Sequence, residues 1–282
     1  MKTSPAIAVI VFACGHSDAP PVVSGQAPRS STHAARVPVG WSEIDPPSDE
    51  RRHCANYSED EWQVAVDGDD MRFTRATTPY EPDTGPAISF EPKRDERGRR
   101  HVVAVGDGFI AGYDGGEWGG ALYWVAKDGA THTELAQENV RGVLALDSDH
   151  AIALEGLAHI TLNEGAVRWL ERSATGWRTQ HVSKLDGVPQ TFVAAPDAIY
   201  TLTLDSLVRI SRDGTVAVVQ PLATPSLYPS TMAVDAAGQL WLGMRQLVLR
   251  LTPTGGTYKP QWFVEDRCRK VTVVNLSCRC DG

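Results

Sequence analysis

Apolar positions in this chain come in runs of four or five residues, cut by turn residues, and almost never recur at helical spacing. Short runs with regular breaks predict strands, and many of them. The clearest stretch is residues 231–251, TMAVDAAGQLWLGMRQLVLRL. It predicts strands over 231–234, 239–243 and 247–251, with a turn at 235–238 where Gly238 takes a positive φ cheaply. Such a unit cannot bury both of its faces alone, so it must stack against copies of itself.

Weaker copies lie upstream. Strands are expected at 102–105, 109–112 and 121–125, then at 143–146, 151–154 and 158–162, then at 191–194, 198–202 and 207–211. Equivalent strands start at Phe109, Ala151, Ile199 and Leu240, at intervals of 42, 48 and 41 residues, which suits one four-stranded blade. Turns at Asp128-Gly129, Glu164-Gly165, Asp213-Gly214 and Gly255-Gly256 follow the third strand of each unit, and outer strands are expected at 168–170, 177–182 and 216–219. A hairpin is expected over 62–75, with an Asp-rich turn at 67–70 that lacks a full set of calcium ligands. Residues 77–100, rich in Pro and charge, read as an exposed loop. Segments 41–75, 261–264 and 270–276 are expected to pair and close a ring. The fold expected is all-β: a small propeller of five blades, or six, with an open sandwich as the alternative architecture.

The segment with Asp235, Gly238, Leu240, Trp241, Gly243 and Leu247 resembles the blade repeat of bacterial β-propellers of the two-component-regulator and NHL-like kind. Met244-Arg245-Gln246 replaces the small residues usual after the strand-ending glycine, so the resemblance is to a repeat class. It implies a propeller and says nothing of a ligand.

The N-terminus adds an address. Met1-Lys2 precedes a short apolar core over 6–13, too short to span a bilayer, which runs into Cys14. A small residue before Cys at the end of a signal core resembles a bacterial lipobox. This implies cleavage after residue 13, lipidation of Cys14 and an exported, membrane-anchored protein. An ordinary secretory signal is the alternative. Gly15 rather than Asp after Cys14 points to the outer membrane in a double-membraned cell. Residues 14–40, rich in Pro, Ser, Ala and Gly, read as a flexible tether, and 41–282 as the propeller domain. Cys54, Cys268, Cys278 and Cys280 are an even set in an exported chain, so two disulfides are expected, at least one of them tying the two ends together. Which of three pairings forms is left open by the spacing. That spacing, C-x₉-C-x-C without a nearby His, does not suit zinc.

With a net charge of −8, the chain does not suit a nucleic acid as its main partner, and Arg97, Arg99, Arg100 and His101 read as a solvated basic loop. The most unusual local stretch is Gly112 to Gly120, GYDGGEWGG, where five glycines allow a close backbone approach. Tyr113 and Trp118 supply aromatic anchors there, with Asp114 and Glu117 setting polarity. Glu155 and His159 occupy the matching place in the next unit and are expected at the same channel mouth, as is Arg245, placed to pair with one of these acids. A His beside carboxylates can act as acid or base, or hold a divalent cation. Catalytic signatures such as G-x-S-x-G, H-E-x-x-H or a Rossmann glycine pattern do not occur. The expected role is binding of an envelope or extracellular partner, with no cofactor required. A metal-dependent propeller hydrolase or lyase, and a structural part of an envelope assembly, are the alternatives.

Overall fold

Four antiparallel sheets of four consecutive strands dominate the computed structural model, which describes residues 33–76, 83–93, 96–222, 224, 226–274 and 277–280. The first blade is β4 (Arg99–Val105), β5 (Gly108–Asp114), β6 (Gly120–Ala126) and β7 (His132–Ala136). The second is β8 (Val140–Ala145), β9 (His150–His159), β10 (Leu162–Ser173) and β11 (Gly176–Leu185). The third is β12 (Thr191–Ala194), β13 (Ala198–Leu202), β14 (Ser206–Ser211) and β15 (Val216–Pro221). The fourth is β16 (Thr231–Val234), β17 (Leu240–Gly243), β18 (Val248–Thr254) and β19 (Thr257–Glu265). Within each blade neighbours in sequence are neighbours in the sheet, and the first strands touch across blades, β4 on β8 and β12 on β16. This is a small β-propeller.

Stacking supplies the core, because alternate side chains of each strand face opposite neighbours. Ile110 and Leu122 meet Val140, Ala153 and Leu170 between the first two blades. Ile152, Leu154 and Trp169 meet Ile199, Val208 and Ile210 between the next two. Leu202 and Leu207 join Leu240, Leu242, Leu249 and Trp262 between the third and fourth. Trp241, wholly buried, meets Trp62, Val64 and Met71 from the hairpin β2 (Trp62–Asp67) and β3 (Asp70–Arg75).

The terminal segments pair differently from expectation. β1 (Trp41–Ile44) does pair with β19, as a fifth strand outside the fourth blade. Beyond a single bridge from Arg36 to Asp70, the β2–β3 hairpin pairs with no terminal strand among the described residues and lies against β16 and β17, so the fifth unit is a two-stranded sheet. Residues 271–274 (β20) pair with 277–280 (β21) instead. Ala35 and Arg36 are already held, by Asp235 and by Asp70, so the fold grips the chain from Ala35 rather than from Trp41. The expected leader, Cys14 and the tether up to residue 32 lie outside the described residues.

Two further expectations are corrected. Glu164-Gly165 is no turn: β10 runs through it, and the chain reverses at Ile160-Thr161. The 77–100 connection is not simply an exposed loop, because residues 83–93 form a strap over the free face of the first blade. Thr84 bridges His101 of β4, and Phe90, 8% exposed, packs with Tyr113, Tyr123 and Ala111.

The ends are fastened by Cys54–Cys278 and Cys268–Cys280. Cys54 belongs to a helix, α1 (Asp49–Asn56), begun by Ser48, whose hydroxyl accepts from Arg51 N, and by the acidic first-turn pair Asp49 and Glu50. Arg51 reaches from this helix to the carbonyls of Cys268 and Arg269, at 3.0 and 2.8 Å.

Candidate functional site

The β5–β6 connection is the glycine-rich segment. Its glycines let the chain turn tightly on itself, and Gly116 alone among Gly115, Gly116, Gly119 and Gly120 faces an adjoining cavity. Gly116 and Gly119 take φ of 61° and 110°, and a Cβ on Gly120 would lie 2.4 Å from Tyr113 O and 2.7 Å from Glu138 O. Gly115 N donates to Gly119 O at 2.8 Å, and Asn139 Nδ2 donates to Gly116 O at 2.8 Å. A rigid 3₁₀ turn over Gly116–Trp118 results, with Trp118 77% exposed at its end.

Glu117 and His159, from consecutive blades, meet at 2.8 Å between Oε2 and Nε2. They border a cavity of about 370 Å³ lined also by Gly116, Arg141, Gly156 and Gln190. Beside His159 stands Ile160, 90% exposed and with φ of 54°, which a β-branched residue adopts only under strain. Leu162, next on the hairpin, is 48% exposed.

Asp114 turns inward. Its carboxylate accepts from Arg141 Nη1 at 2.5 Å and lies 3.6 Å from Arg99 Nη2. Arg141 reaches it because β8 carries a bulge there: Val140 faces Glu155 and Gly142 faces Leu154, leaving Arg141 as the extra residue. Sequence reasoning missed Arg141; the signal available was a charged residue followed by Gly at the head of an apolar strand.

Glu155 does not join Glu117. It holds Arg168 in a two-pronged pair, 2.6 Å to Nε and 3.1 Å to Nη2, and burial raises its pKa even against that guanidinium. It lines a neighbouring cavity of about 460 Å³ with Glu138, Asn139 and Lys184. Tyr113 is buried rather than presented as an anchor, because it is in phase with Ala111 on the strap-covered face of β5. Arg245 lies in the β17–β18 connection, but it donates to Asn56 O at 2.8 Å and stacks 3.9 Å from the Tyr228 ring, so it pairs with none of the acids. The structure therefore unites Glu117, His159 and Trp118, with Arg141 and Asp114 behind them.

Chemically, Glu117 and His159 offer a paired carboxylate and imidazole on the surface, and Trp118, Ile160 and Leu162 apolar groups near them. Among the described residues no three His, Cys, Asp or Glu side chains converge as metal ligands, since Asp114 and Glu155 are each engaged by arginine.

No family model matches the chain, and no curated protein matches it. Among solved structures it is similar to a protein from Lactobacillus plantarum, at 11% identity over 58% of this chain and 51% of that one, with a TM-score of 0.37. It is similar also to apo AztD from Citrobacter koseri, at 15% identity over 58% of this chain and 46% of that one, again with a TM-score of 0.37. The chain thus spans about half the length of each of these proteins.

Proposed function

We propose that this is an exported, lipid-anchored bacterial protein whose propeller binds an envelope or extracellular partner through the end that carries Trp118, Glu117 and His159. The carrying observation is a large aromatic side chain 77% exposed on a rigid turn, next to a solvent-facing carboxylate–imidazole pair and a cavity. Burying such a Trp on a partner removes apolar surface from water without the cost of ordering a loop. Two disulfides fit an oxidising compartment, which supports export.

Strand topology separates the candidate site from the clasp on Ala35. Turns between second and third strands, including 115–119 and 160–161, share one end of the propeller. The turn at 235–238, whose Asp235 grips Ala35, lies at the other.

Two measurements test this reading. Trp118→Ala is expected to keep its folding, by circular dichroism, and to lose a partner that wild type retains from envelope extracts, with affinity down about thirtyfold for an anchor near 2 kcal/mol. Recovery of the same partner by both proteins would place the interface elsewhere. Separately, Cys14→Ser is expected to move the protein from the membrane to the soluble exported fraction, since acyl chains contribute about 0.8 kcal/mol per buried CH₂. Unchanged membrane fractionation would remove the anchor from the proposal.

A further inference from the structure

A second cavity, of about 200 Å³, lies between the face of β4–β5 and the 83–93 strap. Arg100 and Tyr113 face each other directly across those strands, so their side chains leave the sheet on the same side. Both line the cavity, with Phe90 and Arg97. Tyr113 is only 4% exposed, and its hydroxyl has no hydrogen-bond partner. Arg100 Nε is likewise buried and unpartnered, although Nη2 of the same side chain lies 3.4 Å from Asp83 Oδ2. Two orphaned polar groups on residues that line one cavity are costly unless something satisfies them.

The missing group can be specified. A guanidinium Nε–H only donates, so the occupant must bring an acceptor. Burial pushes the Tyr113 hydroxyl up to about 12, so it stays protonated and able to donate at every physiological pH. The acids at the cavity are already engaged: Asp83 accepts from Arg100 N at 2.9 Å, and Glu91 lies 3.8 Å from Arg97. Charge-assisted bonds favour a negatively charged acceptor over a neutral carbonyl.

We propose that this cleft binds an oxyanion group, a carboxylate or a phosphate, through Tyr113 Oη and Arg100 Nε, with Arg97 at its rim. Its volume admits such a group but not a large ligand, so the bulk of the ligand stays outside. The cleft adjoins the turn that carries Trp118, through Arg97 and Gly98, but none of Trp118, Glu117 and His159 lines it, so it stands or falls independently of that site.

Titration of the whole exported domain with sodium acetate and with sodium phosphate, each against chloride at equal ionic strength, reads the proposal through calorimetry and thermal midpoint. A saturable response beyond chloride is expected. Tyr113→Phe, which keeps the ring in its aromatic contacts, should weaken it about tenfold or more, in line with one bond to a charged group. Arg100→Lys, which keeps the charge but not the Nε donor, should weaken it too, while Trp118→Ala should leave it intact. A response to one anion alone identifies which oxyanion the cleft prefers. Absence of any saturable response in wild type, or an equal response in folded Tyr113→Phe, overturns the proposal.

Discussion

Replacing both Cys54 and Cys278 by serine lowers the unfolding free energy by about 5 kcal/mol in the chain-entropy view of a cross-link. The bridge joins residues 224 apart, so cutting it returns nearly the whole domain's loop freedom to the unfolded chain. The second bridge, Cys268–Cys280, spans 12 residues and contributes about 3 kcal/mol on the same reasoning. The double replacement avoids a lone thiol that could exchange with the remaining pair. What the bridge holds is specific: it pins α1 to the β20–β21 hairpin, next to the Arg51 clasp on the carbonyls of Cys268 and Arg269. Urea midpoints of wild type, the Cys54/Cys278 double variant and the Cys268/Cys280 double variant, under non-reducing conditions, decide the matter. A Cys54/Cys278 variant no weaker than the other would mean that the propeller's ends are held by packing and by Arg51, not by the long bridge.

The fourth blade was legible because its sequence states its own hydrogen bonds. Asp235 accepts from Ala237 N and Gln239 N through one oxygen, which makes the turn, and from Trp241 Nε1 and Ala35 N through the other. One carboxylate thus explains both the turn and the buried indole that follows it. The second blade was harder: its real reversal, Ile160-Thr161, contains no turn-forming residue, and Ile160 sits at positive φ against its own preference. Glu164-Gly165 looked like the turn and is instead mid-strand, where Gly165 lets Gly187 O come within 2.0 Å of a would-be Cβ.

At the candidate site, local pattern and tertiary contact disagree in an instructive way. Tyr113 and Trp118 look alike in a glycine-rich segment, yet β5 continues to Asp114, and strand alternation sends Tyr113 into the sheet face while Trp118 is left outside. The strap that buries Tyr113 was read as a loop because its signal is one apolar residue, Phe90, amid prolines and charges. Helix α1 escaped notice for a similar reason: its only marks are Ser48, Asp49 and Glu50 after two prolines. The Glu117–His159 contact joins two blades, and the repeat spacing put both at one end. Arg141 needed the bulge, which no spacing rule shows.

Acid is expected to remove about 3 kcal/mol of stability through a single histidine. His101 is 4% exposed on β4, where burial first, and Arg99 second, lower its pKa from 6.5 to about 4. Arg99 Nε donates to its Nε2 at 3.0 Å, so that nitrogen must be an acceptor, and the ring proton on Nδ1 points to Thr84 Oγ1 at 2.9 Å. Protonating Nε2 would set a proton against the guanidinium; Arg141 adds to the repulsion, and Asp114 and Asp83 offset part of it. Between pH 6.5 and about 4 the unfolded chain takes up a proton that the folded one refuses. Stability from this group is therefore complete above 6.5 and falls as pH drops toward 4, at about 1.4 kcal/mol per unit. His101→Gln keeps an acceptor for Arg99 and a donor for Thr84 but cannot titrate, so its stability should fall less steeply over that window by the same amount. The strap is where the loss should first be felt: Thr84 N donates to Arg100 O at 2.8 Å, and exchange of that amide should open earlier in acid for wild type than for the variant, after correction for intrinsic rates. Parallel stability curves for the two proteins would assign the acid sensitivity to the carboxylates instead, and His101 would then be only a packed residue.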